Sequence, residues 1–441
     1  MIDKLTQRDI DIKHLWHPYT DITAFEKKPF PIIERATGVY LYEVGGRPLL
    51  DGISSWWCVN LGHGHPRLIQ AICEQANTLQ HCILGGLSHP KAIELAERLA
   101  SVAPGPLNHV FFASDGACAV EAALKIALQY WTNIGADRRK NFVCLADGYH
   151  GDTLGAIGVG YIEAFHKSFA DVIHPAYRAC SPHCAQCPFA QQPETCDLDC
   201  FQSMEQIIEQ HHETVAAVIV EPLCQGAAGI RIYPARYLRR LRDLCDQFGL
   251  LLIADEIAVG FGRTGSMFAC QHAGIVPDMM TVGKGLTGGY LPMSAAIVTD
   301  RIYDSFRHEG QLDRTLYHGH TFCGNPITSA LALAALAVYE EERILDHIQP
   351  QIKQLDDGMR KTATLLTGSS VLTLGMIGVI DVSETAGGTA RAQQIAQRAL
   401  ELGLFIRPLG SAVYLWPPLN ITDEDLGKML TFLGTAIKDT A

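Results

Sequence analysis

Apolar residues along the 441-residue chain gather into short continuous runs separated by stretches of helical spacing. Val110, Phe111 and Phe112 form one run, closed by Ser114, Asp115 and Gly116. From Ala117 onward Val120, Ala123, Leu124, Ala127, Leu128 and Trp131 recur at helical intervals, with Glu121 and Lys125 placed as an i,i+4 ion pair. Residues 215–220 predict a buried strand ended by Glu221 and Pro222. Pro234 stands where a helix can begin, Leu238, Leu241, Cys245 and Phe248 mark its buried face, and Gly249 stops it. Residues 250–254 form the next strand, ending on Asp255, and 279–282 another that runs into Gly283 and Lys284. Continuous apolar strands alternating with helices predict an α/β fold, its mostly parallel sheet covered by helices on both faces. Ligands bind such sheets at the carboxyl ends of the strands, where Asp255 and Lys284 both fall.

After Asn325 and Pro326 the texture changes. A long helix over 330–342 leads into strand-like runs at 371–374, 378–382 and 412–416, alternating with helices over 390–402 and 423–436. The expected division is an N-terminal segment, 1–58, that contributes to the smaller domain and to the active site, a large domain over 59–325, and a smaller α+β domain over 326–441. No repeat of fixed period and no low-complexity tract is visible, which sets solenoids and propellers aside.

Composition narrows the functions. At 48% hydrophobic and 19% charged residues the chain has material for a large core and is not disordered as a whole. Lys plus Arg is 35 against 47 Asp plus Glu, a net charge of −12, which argues against a nucleic acid or an anionic membrane as partner. The longest purely apolar stretch, 330–339, falls far short of the roughly 20 residues that cross a bilayer. The first residues, Met1 to Trp16, alternate charged and apolar side chains without the apolar core of a secretory signal, so a cytoplasmic location is expected.

Nine of the fourteen cysteines (Cys58, Cys73, Cys82, Cys118, Cys144, Cys224, Cys245, Cys270 and Cys323) are scattered singly and read as reduced core residues. The others are bunched. Cys184 and Cys187 have C-x-x-C spacing, Cys196 and Cys200 are separated by three residues, and Cys180 and His183 lie close by. Two such thiolate pairs can hold a tetrahedral zinc ion; the surrounding Pro182, Pro188, Gln191, Gln192 and Pro193 read equally as a reduced or redox-labile loop.

Lysine can form a Schiff base with an aldehyde, and a carboxylate can keep a ring nitrogen protonated so that the ring accepts electrons. Lys284 and Asp255 thus offer the two protein groups that pyridoxal phosphate requires, although a strand-end Asp also serves as a turn cap and a glycine-flanked Lys is commonly solvated. Gly116 and Ala117 open a helix after a strand, which suits a phosphate and is equally an ordinary tight turn.

Asp255, Glu256 and Ile257 lead into Gly260, Phe261, Gly262, Arg263, Thr264 and Gly265, followed by Pro277, Asp278, Gly283, Lys284, Gly285 and Leu286. This long signature resembles that of the class III pyridoxal-phosphate aminotransferases. The likeness runs from about His17 to about Pro418 and implies a fold type I PLP-dependent transferase acting as a homodimer, with active sites at the subunit interface. His17, Pro18, Tyr19 and Thr20, the run from Asp51 to Trp57, the run from Asp147 to Thr153, and Arg407 with Pro408 are similar to the members of this family that serve biotin synthesis. That implies S-adenosylmethionine as amino donor and 8-amino-7-oxononanoate as acceptor. Open alternatives are an ω-aminotransferase using pyruvate or 2-oxoglutarate, a decarboxylase or aminomutase on the same fold, and a metal-binding or interaction protein built on an inactive scaffold.

The resemblance also implies roles. Lys284 holds the cofactor and moves the substrate proton, Asp255 pairs with the ring nitrogen, and Ile257 and Tyr149 pack on the two ring faces. Gly116 and Ala117 face the phosphate, while Gly319, His320 and Thr321 belong to a segment that reaches the cofactor of the neighbouring subunit, Gly319 at its substrate and the other two at the cofactor. Arg407 clamps a substrate carboxylate, and Tyr19, Trp56 and Tyr149 line a pocket for an apolar chain and a sulfonium donor, with Trp56 weighted above Trp57. Arg263 is expected as a conformationally adjustable arginine near the substrate. Two positions depart from the family pattern: Ala117 stands where a Ser or Thr is usual, and His320 where Pro is frequent in the biotin-synthesis members.

Overall fold

The computed structural model describes residues 4–28, 30–308, 310 and 313–441; the first three residues of the N-terminal reading lie outside it. Its largest sheet has seven strands in the order Leu107–Ala113, Ser294–Thr299, Met279–Val282, Leu251–Asp255, Val215–Val220, Asn141–Leu145 and Tyr177–Ala179. The last five pair in parallel, and Ser294–Thr299 runs antiparallel to both of its neighbours. The sheet is therefore mixed around a parallel centre. Ser294–Thr299 is buried along its whole length, as are Val215–Val220 and Leu251–Asp255, so nothing in its apolar run distinguishes its direction from theirs.

Successive strand residues feed two different cores. Ala217, Ile219, Leu251 and Ile253 pack with Ala123, Ile126 and Ala127 of helix Gly116–Asn133. Val218, Val220, Leu252 and Met280 belong to the core on the other face with Leu238 and Leu241 of helix Ala235–Phe248. Both faces being covered is why these strands read as continuous apolar runs. The expected Glu121–Lys125 ion pair is not formed. Glu121 instead accepts from Thr153 Oγ1 at 2.7 Å and Gly155 N at 2.9 Å, satisfying donors at the start of helix Leu154–Val159, while Lys125 Nζ turns to His318 Nδ1 at 3.2 Å.

Helix Pro326–Glu341 begins four residues before the apolar pattern suggested, because the Asn325 side chain caps it by accepting from Ile327 N and Thr328 N. Beyond it lie helix Ile344–Ala363, the antiparallel sheet of Ser370–Leu374, Ile377–Asp381 and Ala412–Leu415, and helices Gly388–Leu402 and Asp423–Thr440. Strand Leu404–Phe405 joins Ile33–Thr37, Tyr40–Glu43 and Pro48–Asp51 in a four-stranded sheet, which fastens the early chain to the late chain. Of the singly scattered cysteines, Cys144, Cys224, Cys245 and Cys270 are buried and Cys73 is exposed. Among the described residues no helix is long and apolar enough to cross a membrane.

Candidate active site

The three central strands end side by side and deliver three ionisable groups to one place. Val215–Val220 runs into Glu221, Leu251–Asp255 ends on Asp255, and Met279–Val282 runs through Gly283 into Lys284. They border a chamber of about 480 Å³ that brings together Gly116, Ala117, Tyr149, Asp255, Ile257 and Lys284. Asp255 is 4% exposed and held at both oxygens: Oδ1 accepts from Ile257 N and Thr281 Oγ1, both at 3.1 Å, and Oδ2 from His150 Nδ1 at 2.7 Å. Lys284 has a left-handed backbone, φ 43°, and its Nζ has no hydrogen-bond partner among the described residues; it lies 4.8 Å from the centre of the Trp57 ring. Burial pushes the Lys284 amine below its ordinary pKa, against the opposing pull of Asp255, Glu221 and Cys58.

Glu221 is a member of the chamber that the sequence reading treated as a strand end. Its oxygens accept from Tyr149 N at 3.0 Å and Gly226 N at 2.8 Å, and burial raises its pKa to about 7. A carboxylate directly after a six-residue buried strand was the available signal. Two close approaches shape the rest of the wall. A Cβ on Gly116 would meet Ile257 at 3.1 Å, and one on Gly151, whose φ is 117°, would meet the Ala117 Cβ at 2.4 Å.

Outside the chamber opens a cleft of about 810 Å³ lined by Tyr19, Trp56, Trp57, Tyr149, Lys284 and Arg407. The two tryptophans reach it from an unusual turn: Ser54, Ser55, Trp56 and Trp57 have φ of 49°, 45°, 72° and 70°, four consecutive left-handed residues. Such backbone costs on the order of 1–2 kcal/mol per residue. The buried Asp51 carboxylate holds the turn, accepting from Ser55 N at 2.9 Å, Ser55 Oγ at 2.7 Å and His63 Nε2 at 2.9 Å, while Ser54 Oγ donates to Trp416 O at 2.6 Å. The turn sends Trp56 beneath Arg407, 4.7 Å from the guanidinium carbon, and Trp57 against Lys284 and Trp416. Trp57 is therefore the tryptophan in contact with the lysine, a placement that spacing alone did not disclose.

Tyr19 and Tyr149 share one acceptor. Tyr19 Oη donates to Asp152 Oδ1 at 2.5 Å and Tyr149 Oη to Asp152 Oδ2 at 2.9 Å. Burial, reinforced by Asp152, pushes the Tyr19 phenol up to about 12, and burial raises Tyr149 as well, so both remain protonated donors. Arg407 Nη2 donates to Tyr19 O at 3.1 Å, and its other N–H groups make no hydrogen bond among the described residues.

Four expected residues lie elsewhere. Gly319 and Thr321 are exposed, and His320 packs on His318, away from the chamber of their own chain. Arg263 does not line the cleft, and this corrects the expectation of an adjustable group. It is 0% exposed and donates to Met376 O at 3.1 Å, Pro417 O at 2.6 Å and Asn60 Oδ1 at 2.9 Å, with burial lowering its pKa to about 9. It is a fixed cross-link between the central and C-terminal parts of the chain.

The chamber fits pyridoxal phosphate on its own donors. The N–H groups of Gly116 and Ala117, at the start of an 18-residue helix, have no partner among the described residues, because the Asp115 side chain caps Cys118 N instead. An unpartnered amine, a carboxylate with acceptor capacity left on Oδ2, and Ile257 and Tyr149 lining the same chamber complete the set. Sheet order and site together define a fold type I PLP-dependent transferase. Residues 22–437 match the family model described as Aminotransferase class-III. The chain belongs to the class III aminotransferases, which depend on pyridoxal phosphate. It is 40% identical to the adenosylmethionine-8-amino-7-oxononanoate aminotransferase of Nitratidesulfovibrio vulgaris, over 98% of this chain and 81% of that protein. The crystal structure of the enzyme of the same name from Methanocaldococcus jannaschii superposes with a TM-score of 0.93 at 36% identity, covering 99% of each chain. An amine transaminase from an uncultivated Pseudomonas species, solved in its PLP-bound form, gives 0.91 at 31% identity over 97% of this chain and 99% of that one.

Proposed function

We propose that this protein transfers the amino group of S-adenosylmethionine to 8-amino-7-oxononanoate, giving 7,8-diaminononanoate for biotin synthesis, and that it does so as a cytoplasmic homodimer. The observation that carries the reading is the Tyr19–Trp56–Arg407 cleft at the mouth of the Lys284 chamber. Both substrates present a carboxylate, one with a sulfonium and one with a long apolar chain. Arg407 offers a planar pair of donors to the carboxylate, and the rings of Tyr19 and Trp56 suit the apolar chain and the onium charge alike.

Lys284, Asp255, Ile257, Tyr149 and the N–H groups of Gly116 and Ala117 are the residues that would hold pyridoxal phosphate. When bound there it supplies an aldehyde that accepts the amino group and a ring that takes up the electrons released from the donor carbon. Lys284, its pKa lowered by burial, takes the proton from that carbon and returns one to the acceptor. His150 and the backbone hold the Asp255 side chain in place at the chamber wall. Trp57 packs its ring against the Lys284 amine, and Asp152 holds the two phenols in place. Tyr317 and Phe322, on the segment that carries Thr321, are exposed apolar side chains that a second subunit would cover, and Thr321 would contribute to that subunit's chamber.

The test is the absorbance of the PLP-loaded protein on adding S-adenosylmethionine alone. Conversion to the pyridoxamine form, reversed by 8-amino-7-oxononanoate, is the expected result. Conversion by simple ω-amines but not by S-adenosylmethionine would overturn the substrate assignment.

A further inference from the structure

We propose that Cys184, Cys187, Cys196 and Cys200 form a structural binding site for a thiophilic divalent cation of the zinc type, separate from the catalytic chamber. All four cysteines line one cavity of about 20 Å³ together with Pro234 at the start of helix Ala235–Phe248. That volume suits a single small occupant. None of the four is in a disulfide.

A divalent ion bound here would displace the thiol protons as it gains its ligands. A centre with four thiolates around a divalent ion carries excess negative charge, and Arg236 is placed to offset it. Its Nη2 donates to Cys196 Sγ at 2.9 Å and to Pro193 O at 2.6 Å, and its Nη1 to Glu194 O at 2.9 Å. Among the described residues no three potential ligands already stand in coordinating geometry, so binding must draw the two pairs together. Cys184 and Cys200 sit in single 3-10 turns, Cys184–Gln186 and Asp199–Phe201, and Cys187 and Cys196 lie in the irregular chain beside them.

The site would clasp three parts of the molecule. Gln186 Nε2 donates to Asp381 Oδ1 at 3.4 Å in the C-terminal sheet, and Ser181 Oγ donates to Gln225 Oε1 at 2.5 Å and accepts from Arg231, which lines the substrate cleft and bonds Asp147. A metal here stiffens the wall behind the cleft without touching the reacting atoms.

The experiment loads the full chain, purified under reducing conditions, with Zn²⁺ or Co²⁺ and counts bound metal per chain by elemental analysis. One ion per chain, with the intense thiolate-to-Co²⁺ charge-transfer bands of a tetrahedral site, is expected. Cys184→Ser with Cys196→Ser should weaken binding by more than the roughly 10–100-fold that loss of an outer partner costs, while Cys73→Ser leaves it unchanged. Because the double variant can misfold, thiol counting on the unaltered protein stands beside it: four further cysteines should react after chelation. Absence of bound metal, retention of it by the folded double variant, or equal thiol reactivity before and after chelation would each overturn the proposal.

Discussion

The chamber around Lys284 and the cleft outside it share Trp57, Tyr149 and Lys284 but are built by opposite means. The chamber draws its ionisable groups from the ends of adjacent buried strands. Asp255 and Glu221, 4% and 6% exposed, have backbone or imidazole donors on their carboxylate oxygens. The cleft draws its groups from loops and turns distant in sequence, and Tyr19 and Trp56 are about 40% exposed. A charge that takes part in chemistry gains from fixed dipoles and little water, and only the sheet can hold it so rigidly. A surface that admits two different substrates in turn has to stay open and wet.

The largest expected effect therefore belongs to the chamber. Lys284→Ala removes the group that moves the proton, and turnover should fall by about 10⁴-fold, at the upper end of what a positioned acid–base contributes. The absorbance change with S-adenosylmethionine should be slowed equally. A loss below tenfold would move the proton transfer to another residue.

The chamber should also set a pH dependence that the cleft lacks. Glu221 has its pKa raised from 4.5 to about 7 by burial, and Glu256, also buried, from 4.5 to about 7. Between those values the folded chain holds protons that the unfolded chain has released, so stability is fullest below the lower value and falls as pH rises through the upper one. Glu221→Gln should flatten that fall by up to about 3 kcal/mol, read from denaturant unfolding of the cofactor-free chain at the two ends of the window. An unchanged slope would show that Glu221 is ionised throughout.

The same contrast explains what the sequence disclosed. The strands ending on Asp255 and leading to Lys284 were legible because burial on both faces writes an unbroken apolar run, and Pro234 and Gly249 marked the helix that precedes them. The reversed strand Ser294–Thr299 was not, since burial carries no information on direction. Arg263 stood inside the most recognisable motif of the chain and proved to be a buried cross-link, because a motif gives position and not which way a side chain turns. The left-handed turn of Ser54–Trp57 left no local signal at all. Its four residues are not glycines, and Asp51 supports them through tertiary packing.

In the cleft the effect should be one of binding. Arg407→Lys keeps the charge but loses the planar pair of donors, and KM for both substrates should rise by about 10- to 100-fold, the value of one or two charge-assisted hydrogen bonds. With kcat changed far less, the split would separate the cleft from the chamber. An equal fall in kcat would mean that Arg407 acts on the reacting atoms and that the division drawn here is misplaced.

The smallest effect tests the chamber at its weakest wall. Ala117 Cβ faces Gly151 at a distance that leaves no room for a side chain there, yet the residue also borders the space in front of two unpartnered N–H groups. Ala117→Ser would add a hydroxyl, and if it turns toward that space it contributes one more bond to a phosphate, about 1 kcal/mol or roughly fivefold in cofactor affinity. Turned toward Gly151 it would crowd the backbone and weaken binding instead. Equilibrium titration of the cofactor-free chain with pyridoxal phosphate distinguishes the two: tighter binding means that the wall near Ala117 tolerates refinement as the cleft does, and weaker binding means that the close packing of Ala117 on Gly151 already fixes the chamber's shape.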